Sequence, residues 1–312
     1  MRRTIVYGLS VAALLAGALV VGGCAGEQTA DDGSTLTGGS FGLMSVAYEL
    51  DGAAGPVSEG DQLQLNTHAQ FVRYTAMDRQ HVARLLGLPL DPERDLPPLD
   101  TCRIYDLTLD LDEDMGVDDA LQQEEPSHVE LLEAGDLQVQ TPSRTVTLVP
   151  RHFPGLLPFI SGVIYGEAQA TEDEQLGHVE VESAGGETVG AFSVKAQTPA
   201  LPRLLGVADG MAVTVAERAG LPLHWQTAAP PALTYIDVRF DRAKRELALR
   251  CRPRDDGAFV IPAALLAEVA ESAKSPVTLE IARVQGTSFT ASGLDGGELR
   301  ITVRERAPIH FR

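Results

Sequence analysis

Hydrophobic positions along this chain recur mostly every second residue, the period of a strand with one buried face. Tyr105, Leu107, Leu109 and Leu111 alternate with Asp106, Thr108, Asp110 and Asp112. That spacing predicts a half-buried antiparallel strand with carboxylates on its wet side. Val179 and Val181 alternate with His178, Glu180 and Glu182. Gly185-Gly186 then offers a two-residue hairpin turn, and Val189, Ala191 and Phe192 to Val194 read as the returning strand. Farther on, Val213 with Val215, Leu221 to Trp225, Tyr235 to Phe240, Leu247 to Cys251, Val277 to Ile281 and Leu299 to Val303 read as strands. Asp255-Asp256-Gly257 and Asp295-Gly296-Gly297 supply turn residues between them.

Two stretches break that period. Pro262 to Lys274 follows a proline suited to the first helical position with Ala, Leu, Glu and Val, which predicts a short helix. Asp78 to Leu86 predicts another, capped by Asp78, with Val82, Leu85 and Leu86 on one side. Both are short enough to cross between layers. The expected fold class is all-β: two antiparallel β-sandwich domains, the second carrying one short helix.

The N-terminus follows a different pattern. Arg2 and Arg3 precede an apolar run of 17 positions from Ile5 to Val21, broken by Gly8, Ser10 and Gly17. A membrane span needs ~20 apolar residues, so this length suits a signal peptide better than a retained anchor. Val21-Gly22-Gly23-Cys24 distinguishes it from an ordinary secretory signal. The segment resembles the lipobox of bacterial lipoproteins. The resemblance implies that residues 1–23 are removed and that the Cys24 thiol takes up a diacylglyceryl group, the freed amine usually a third chain. One acyl chain holds a protein marginally, whereas two or three hold it stably. Because Ala25 is not aspartate, the resemblance further implies an envelope address at the outer membrane. Residues 24–40 are rich in Gly, Ser, Thr, Asp, Glu and Gln and are expected to be a disordered tether, with a reach of ~20–25 Å.

Charge then divides the body. From Cys24 to Pro199 there are 31 acidic and 8 basic side chains; from Ala200 to Arg312 there are 13 and 15. The shift places an expected boundary at Pro199-Ala200-Leu201-Pro202, giving an acidic β-rich domain at 41–199 and a second domain at 200–312. With Leu223-His224-Trp225 and Leu249-Arg250-Cys251, the second part looks similar to immunoglobulin-like modules, although their usual intra-domain cysteine pair is missing. The whole chain resembles lipoproteins with tandem β-sandwich bodies, a resemblance that brings no chemistry with it. A formal net charge of −19 argues against nucleic acid as a partner, since phosphate binding needs the opposite sign.

Candidate chemistry is sparse. Of three cysteines, Cys24 is assigned to lipid, which leaves Cys102 and Cys251 as a candidate disulfide in an oxidising compartment, two buried thiols being the alternative. Asp110, Asp112 and Asp114 invite a calcium reading. The EF-hand pattern fails, because its glycine and glutamate positions are Met115 and Leu121, and a solvated acidic edge is the simpler reading. His68, His81, His128, His152, His178, His224 and His310 show no metal-ligand spacing. No serine elbow, phosphate loop or dinucleotide fingerprint is present. Trp225 reads as a core residue rather than a sugar platform. Arg239, Arg242, Lys244, Arg245, Arg250, Arg252 and Arg254 gather on one expected hairpin, as a face toward the acidic part or for an anionic envelope component. The expectation is a lipid-anchored, non-catalytic envelope protein with no cofactor and a binding or assembly role, its partner an unknown envelope protein or glycan. The alternative is a periplasmic or surface hydrolase, or its carbohydrate-binding accessory.

Overall fold

The computed structural model describes residues 38–51, 63–88, 91, 92, 94–108, 128–152, 160–170, 174–206, 211–213, 220–242, 245–272 and 277–311. The signal segment, Cys24, most of the tether, Asp110, Asp112, Asp114, Val215 and Lys244 lie outside these residues. In chain order the elements are β1 (Gly39–Asp51), β2 (Leu63–Thr75), α1 (Arg79–Leu85), β3 (Thr101–Asp106), β4 (His128–Leu131), β5 (Leu137–Gln140), β6 (Thr145–Leu148), β7 (Pro150–His152), β8 (Ile160–Ala170), β9 (His178–Ser183) and β10 (Phe192–Gln197). Then follow β11 (Leu204–Leu205), β12 (Met211–Val213), β13 (Leu221–Trp225), β14 (Leu233–Arg242), β15 (Arg245–Arg252), β16 (Ala258–Ile261), α2 (Ala263–Ser272), β17 (Val277–Phe289) and β18 (Gly296–Phe311).

The fold is all-β, and one sheet dominates it. Its strands run β3-β15-β14-β17-β18-β1-β2-β4-β8-β7, with β12 added to β18. The hairpin of β17 and β18 lies at the centre, in register from Phe289 opposite Gly297 to Val277 opposite Ile309. At ~3.3 Å per residue, strands of 13 and 16 residues are long enough to underlie two packed layers. Beneath one half lies the sheet β10-β9-β5-β6, and beneath the other β11-β13-β16 with α2. The first core joins Phe71, Val181, Phe192 and Phe289 to Leu299, Ile301 and Val303 of β18. The second joins Trp225, Ile236, Leu266 and Ile281 to Ala307 and Ile309 of the same strand.

The expected boundary at 199/200 therefore does not cut the large sheet. It falls where the chain passes from the second layer of one core to that of the other. β1 pairs with β18 in parallel, Phe41 opposite Gly296 through Asp51 opposite Arg306, so the first strand of the body borders the last. β3, from the acidic part, pairs with β15. Between the two cores, on the inner side of β17 and β18, sit Arg283 and Glu305, both buried. Arg283 donates to the Ala200 carbonyl at 3.0 Å and to that of Gln226. Glu305 accepts from the Leu204 amide at 2.7 Å. These groups fasten the linker across the seam.

Several local expectations are corrected. Gly39 and Ser40, assigned to the tether, begin β1, where the Ser40 amide donates to Asp295 Oδ2 at 2.7 Å. The turn at Gly185-Gly186 is not a two-residue hairpin: Ser183 pairs with Phe192, leaving an eight-residue connection from 184 to 191. Its backbone is claimed elsewhere, since the Val189 amide bonds Glu133 O at 2.9 Å and the Gly190 amide bonds Ser292 O at 2.9 Å. Among the described residues, the strand expected from Tyr105 occupies Thr101–Asp106 instead, with the opposite facing. Cys102 and Ile104 pack on the second core, while Tyr105 lies on the outer face, where Arg250 Cζ sits 5.4 Å from its ring. Both helices form where expected, and Asp78 Oδ1 caps α1 by accepting the His81 amide at 2.8 Å.

Candidate functional site: the outer face of the large sheet

Alternation along β1, β18, β17, β14 and β15 sends most apolar side chains to the cores and, Arg283 and Glu305 apart, the charged ones to the opposite face. Cross-strand register then sets these charges in rows. Arg103, Arg250, Asp237, Glu280 and Arg306 follow one another across β3, β15, β14, β17 and β18. Arg304 stands opposite Glu49 of β1. Asp237 and Glu280 are directly opposed like charges, a destabilising pair unless cations flank it. Here they do. Arg250 grips Asp237 with two bonds of 2.8 and 2.9 Å. Arg306 donates to Glu280 at 2.8 Å and to Glu49 at 2.9 Å, and Arg304 also donates to Glu49. Arg239 lies 3.7 Å from Asp237 and 3.8 Å from Glu280.

Asp237 and Glu280 are fully buried. Burial, with Glu280 and Asp237 alongside, pushes the Tyr235 phenol well above its ordinary range, and that phenol donates to Glu280 at 3.2 Å. Burial works against the charge of Arg250, yet the hydrogen bond and charge of Asp237 hold its pKa above the ordinary value. Burial and the neighbouring Arg306 press the Arg304 guanidinium below its own. A general acid or base needs a lone pair or proton free for substrate. Both oxygens of Glu49 and of Asp237 are bonded to arginine, and Glu280 accepts from Arg306 on Oε2 and from the Tyr235 phenol on Oε1. The row is an electrostatic lattice.

At the end of this face, α1 and the segment after it lean over the starts of β1 and β18. They leave a cleft of about 70 Å³ lined by Phe41, Leu43, Arg79, Arg84, Leu88, Arg94 and Arg300, among others. Arg79 Cζ stands 4.7 Å from the centre of the Phe41 ring. Arg300 is held by Glu298 through bonds of 2.9 and 2.8 Å. On β2, Asn66 and Gln70 stand opposite Ala47 and Leu43. Asn66 Oδ1 and Gln70 Oε1 are buried without a hydrogen-bond partner. A broader, open depression of about 590 Å³ lies over β5, β9 and β10, beside Asp136, Gln138 and Glu182.

No protein-family profile matches the chain, and no curated protein matches it in sequence. Its own residues must carry the reading. Cys102 and Cys251 stand directly opposite each other on β3 and β15 and are joined as a disulfide. Cys24 and the calcium candidates Asp110, Asp112 and Asp114 lie outside the described residues. Among the described residues, no group of three or more His, Cys, Asp or Glu side chains is placed to hold a metal ion. Trp225 is buried in the second core, its indole donating to Asp255 at 2.9 Å. Among the described residues, the basic hairpin meets the acidic part through Arg245 with Asp106 at 3.1 Å and Arg254 with Asp100 at 2.9 Å. Arg250 belongs to the lattice and also donates to the Asp95 carbonyl at 3.4 Å.

Sequence reasoning missed Glu49, Glu280, Arg304 and Arg306, and the whole arginine cleft. The signal was present in β18, where Arg300, Arg304 and Arg306 share one parity. Reading it required knowing that β1 lies alongside.

Proposed function

We propose that this protein is a lipid-anchored, non-catalytic component of the cell envelope that works by binding, with the outer face of its large sheet as the working surface. The observation that carries the binding role is the state of the carboxylates there. Glu49, Asp237 and Glu280 are each bonded to arginine, so none is poised for proton transfer, while the arginine cleft opens beside them. The unpartnered amide oxygens of Asn66 and Gln70 add acceptors to the same face, and buried polar groups left unpaired ask for a partner. The anchor rests on Val21-Gly22-Gly23-Cys24. A glycoside hydrolase would instead need a carboxylate pair released from such cations.

Fractionation of the native host tests both halves. Wild-type protein is expected in the membrane pellet through a salt wash and in the detergent phase on phase partition. Cys24→Ser is expected in the soluble fraction. The acylated protein is expected to retain a specific envelope component that an Arg304→Gln/Arg306→Gln variant loses. Equal partition of wild type and Cys24→Ser, or recovery of lipid alone, would remove the proposal.

A further inference from the structure

We propose that the cleft between α1 and the starts of β1 and β18 is a binding site for a small oxyanion, the phosphate or carboxylate head of an organic ligand. The inference is local and stands whether or not the chain is lipid-anchored. Four guanidinium groups line the cleft, those of Arg79, Arg84, Arg94 and Arg300, against two carboxylates, Asp91 and Asp95. Asp95 is engaged on the backbone, its Oδ2 accepting the Asp91 amide at 2.6 Å. Arg300 is engaged by Glu298, and Arg84 and Asp91 have partners of their own.

Two cations remain. Among the described residues, neither Arg79 nor Arg94 forms an ion pair, although both are exposed. Arg79 instead lays its guanidinium over the Phe41 ring. A cation–π contact is not an ion pair with a carboxylate, and a guanidinium with N–H donors to spare can grip an oxyanion two-pronged. In a chain with 44 acidic side chains and 25 Lys and Arg, carboxylate partners are abundant, and two guanidinium groups kept from them in one cleft stand ready for an anion from outside.

Size narrows the ligand. A cavity of about 70 Å³ is far below the several hundred Å³ of a drug-sized site. The cleft suits a small oxyanion head rather than a whole drug-sized ligand. Phe41 and Leu88 supply an apolar wall on which a short stem can lie.

The test is calorimetric titration of the full chain, held in phosphatidylcholine nanodiscs, with inorganic phosphate and separately with hexyl phosphate. At least one probe is expected to bind, and Arg79→Gln and Arg94→Gln are each expected to weaken it about tenfold, the loss of about 1.4 kcal/mol. Arg73→Gln removes an exposed arginine paired with Glu130 away from the cleft and is expected to leave binding unchanged. Tighter binding of hexyl phosphate identifies an amphiphilic ligand, and equal binding a free oxyanion; both uphold the site. No heat above the empty-nanodisc blank with either probe, or equal affinity in the Arg79→Gln/Arg94→Gln double variant, overturns it. Circular dichroism matching wild type in each variant confirms that the readout is binding rather than unfolding.

Discussion

Asp255→Ala should be among the most damaging single substitutions in the molecule, because it strands a buried cation. Arg283 is fully buried and donates to Asp255 through Nε at 2.9 Å and Nη2 at 2.7 Å. The same carboxylate accepts from the Trp225 indole at 2.9 Å and from the Ala232 amide at 3.2 Å. Breaking a buried pair from one side costs about 3–5 kcal/mol, and each further lost hydrogen bond about 1 kcal/mol. Some relief comes from water entering the vacated space, so a loss of about 4 kcal/mol is expected. At a urea dependence of about 2–3 kcal/mol per molar, the unfolding midpoint should fall by roughly 1.5 M. Asp255→Leu combined with Arg283→Met removes both charges and should cost less than Asp255→Ala alone. The pH dependence provides a second readout. Burial pushes the Asp255 carboxyl up, but hydrogen bonds from Arg283, Trp225 and Ala232 and the charge of Arg283 carry it below its ordinary value. The folded pKa is thus depressed, so its stabilisation is present above the unfolded value near 4 and is lost as pH falls toward the folded one. Asp255→Asn should flatten that acid limb. A midpoint shift equivalent to less than about 1 kcal/mol, or strict additivity of the two sites, would refute the claim that this pair pins the seam.

Three further outcomes follow from the same geometry. Cys102→Ser with Cys251→Ser should lower stability by up to about 5 kcal/mol in the chain-entropy view of a 149-residue separation; denaturant unfolding with and without reductant checks it. Gly162→Ala should break the β4–β8 pairing, because φ is +120° and an added Cβ would lie 1.9 Å from the Leu131 carbonyl oxygen; a loss of about 2 kcal/mol or more, read by thermal melting, is expected. Burial raises the Tyr165 phenol to about 12 despite its bond to the Ala134 amide, so its contribution is intact below pH 10 and fades as pH rises toward 12. Tyr165→Phe should reduce the alkaline loss of stability in a pH series of urea melts.

The pattern of alternate residues made the all-β class legible, and the later strands β13–β15, β17 and β18 with it, because each has one clear apolar face. β1 and β2 escaped because polar residues interrupt the contrast between faces: Ser45 and Glu49 are covered on the outward parity of β1, and Thr67 sits among Leu65, Ala69 and Phe71 on the core-facing parity of β2. The parallel pairing of β1 with β18 joins residues more than 250 positions apart, and no local signal announces such a partner. The same distance hid the lattice, since Glu49 and Arg306 become neighbours through that pairing alone. Proline and the charge shift near residue 200 lie where the chain crosses the seam, but composition does not reveal that a 16-residue strand continues beneath both cores.

Mass spectrometry of the mature N-terminus, on protein made in its native host, bears most directly on the proposal as a whole. The result it predicts is a first peptide beginning at Cys24 with a diacylglyceryl group on Sγ and residues 1–23 gone. A Cys24 peptide with a free thiol, or a chain still carrying Met1–Gly23, would contradict it.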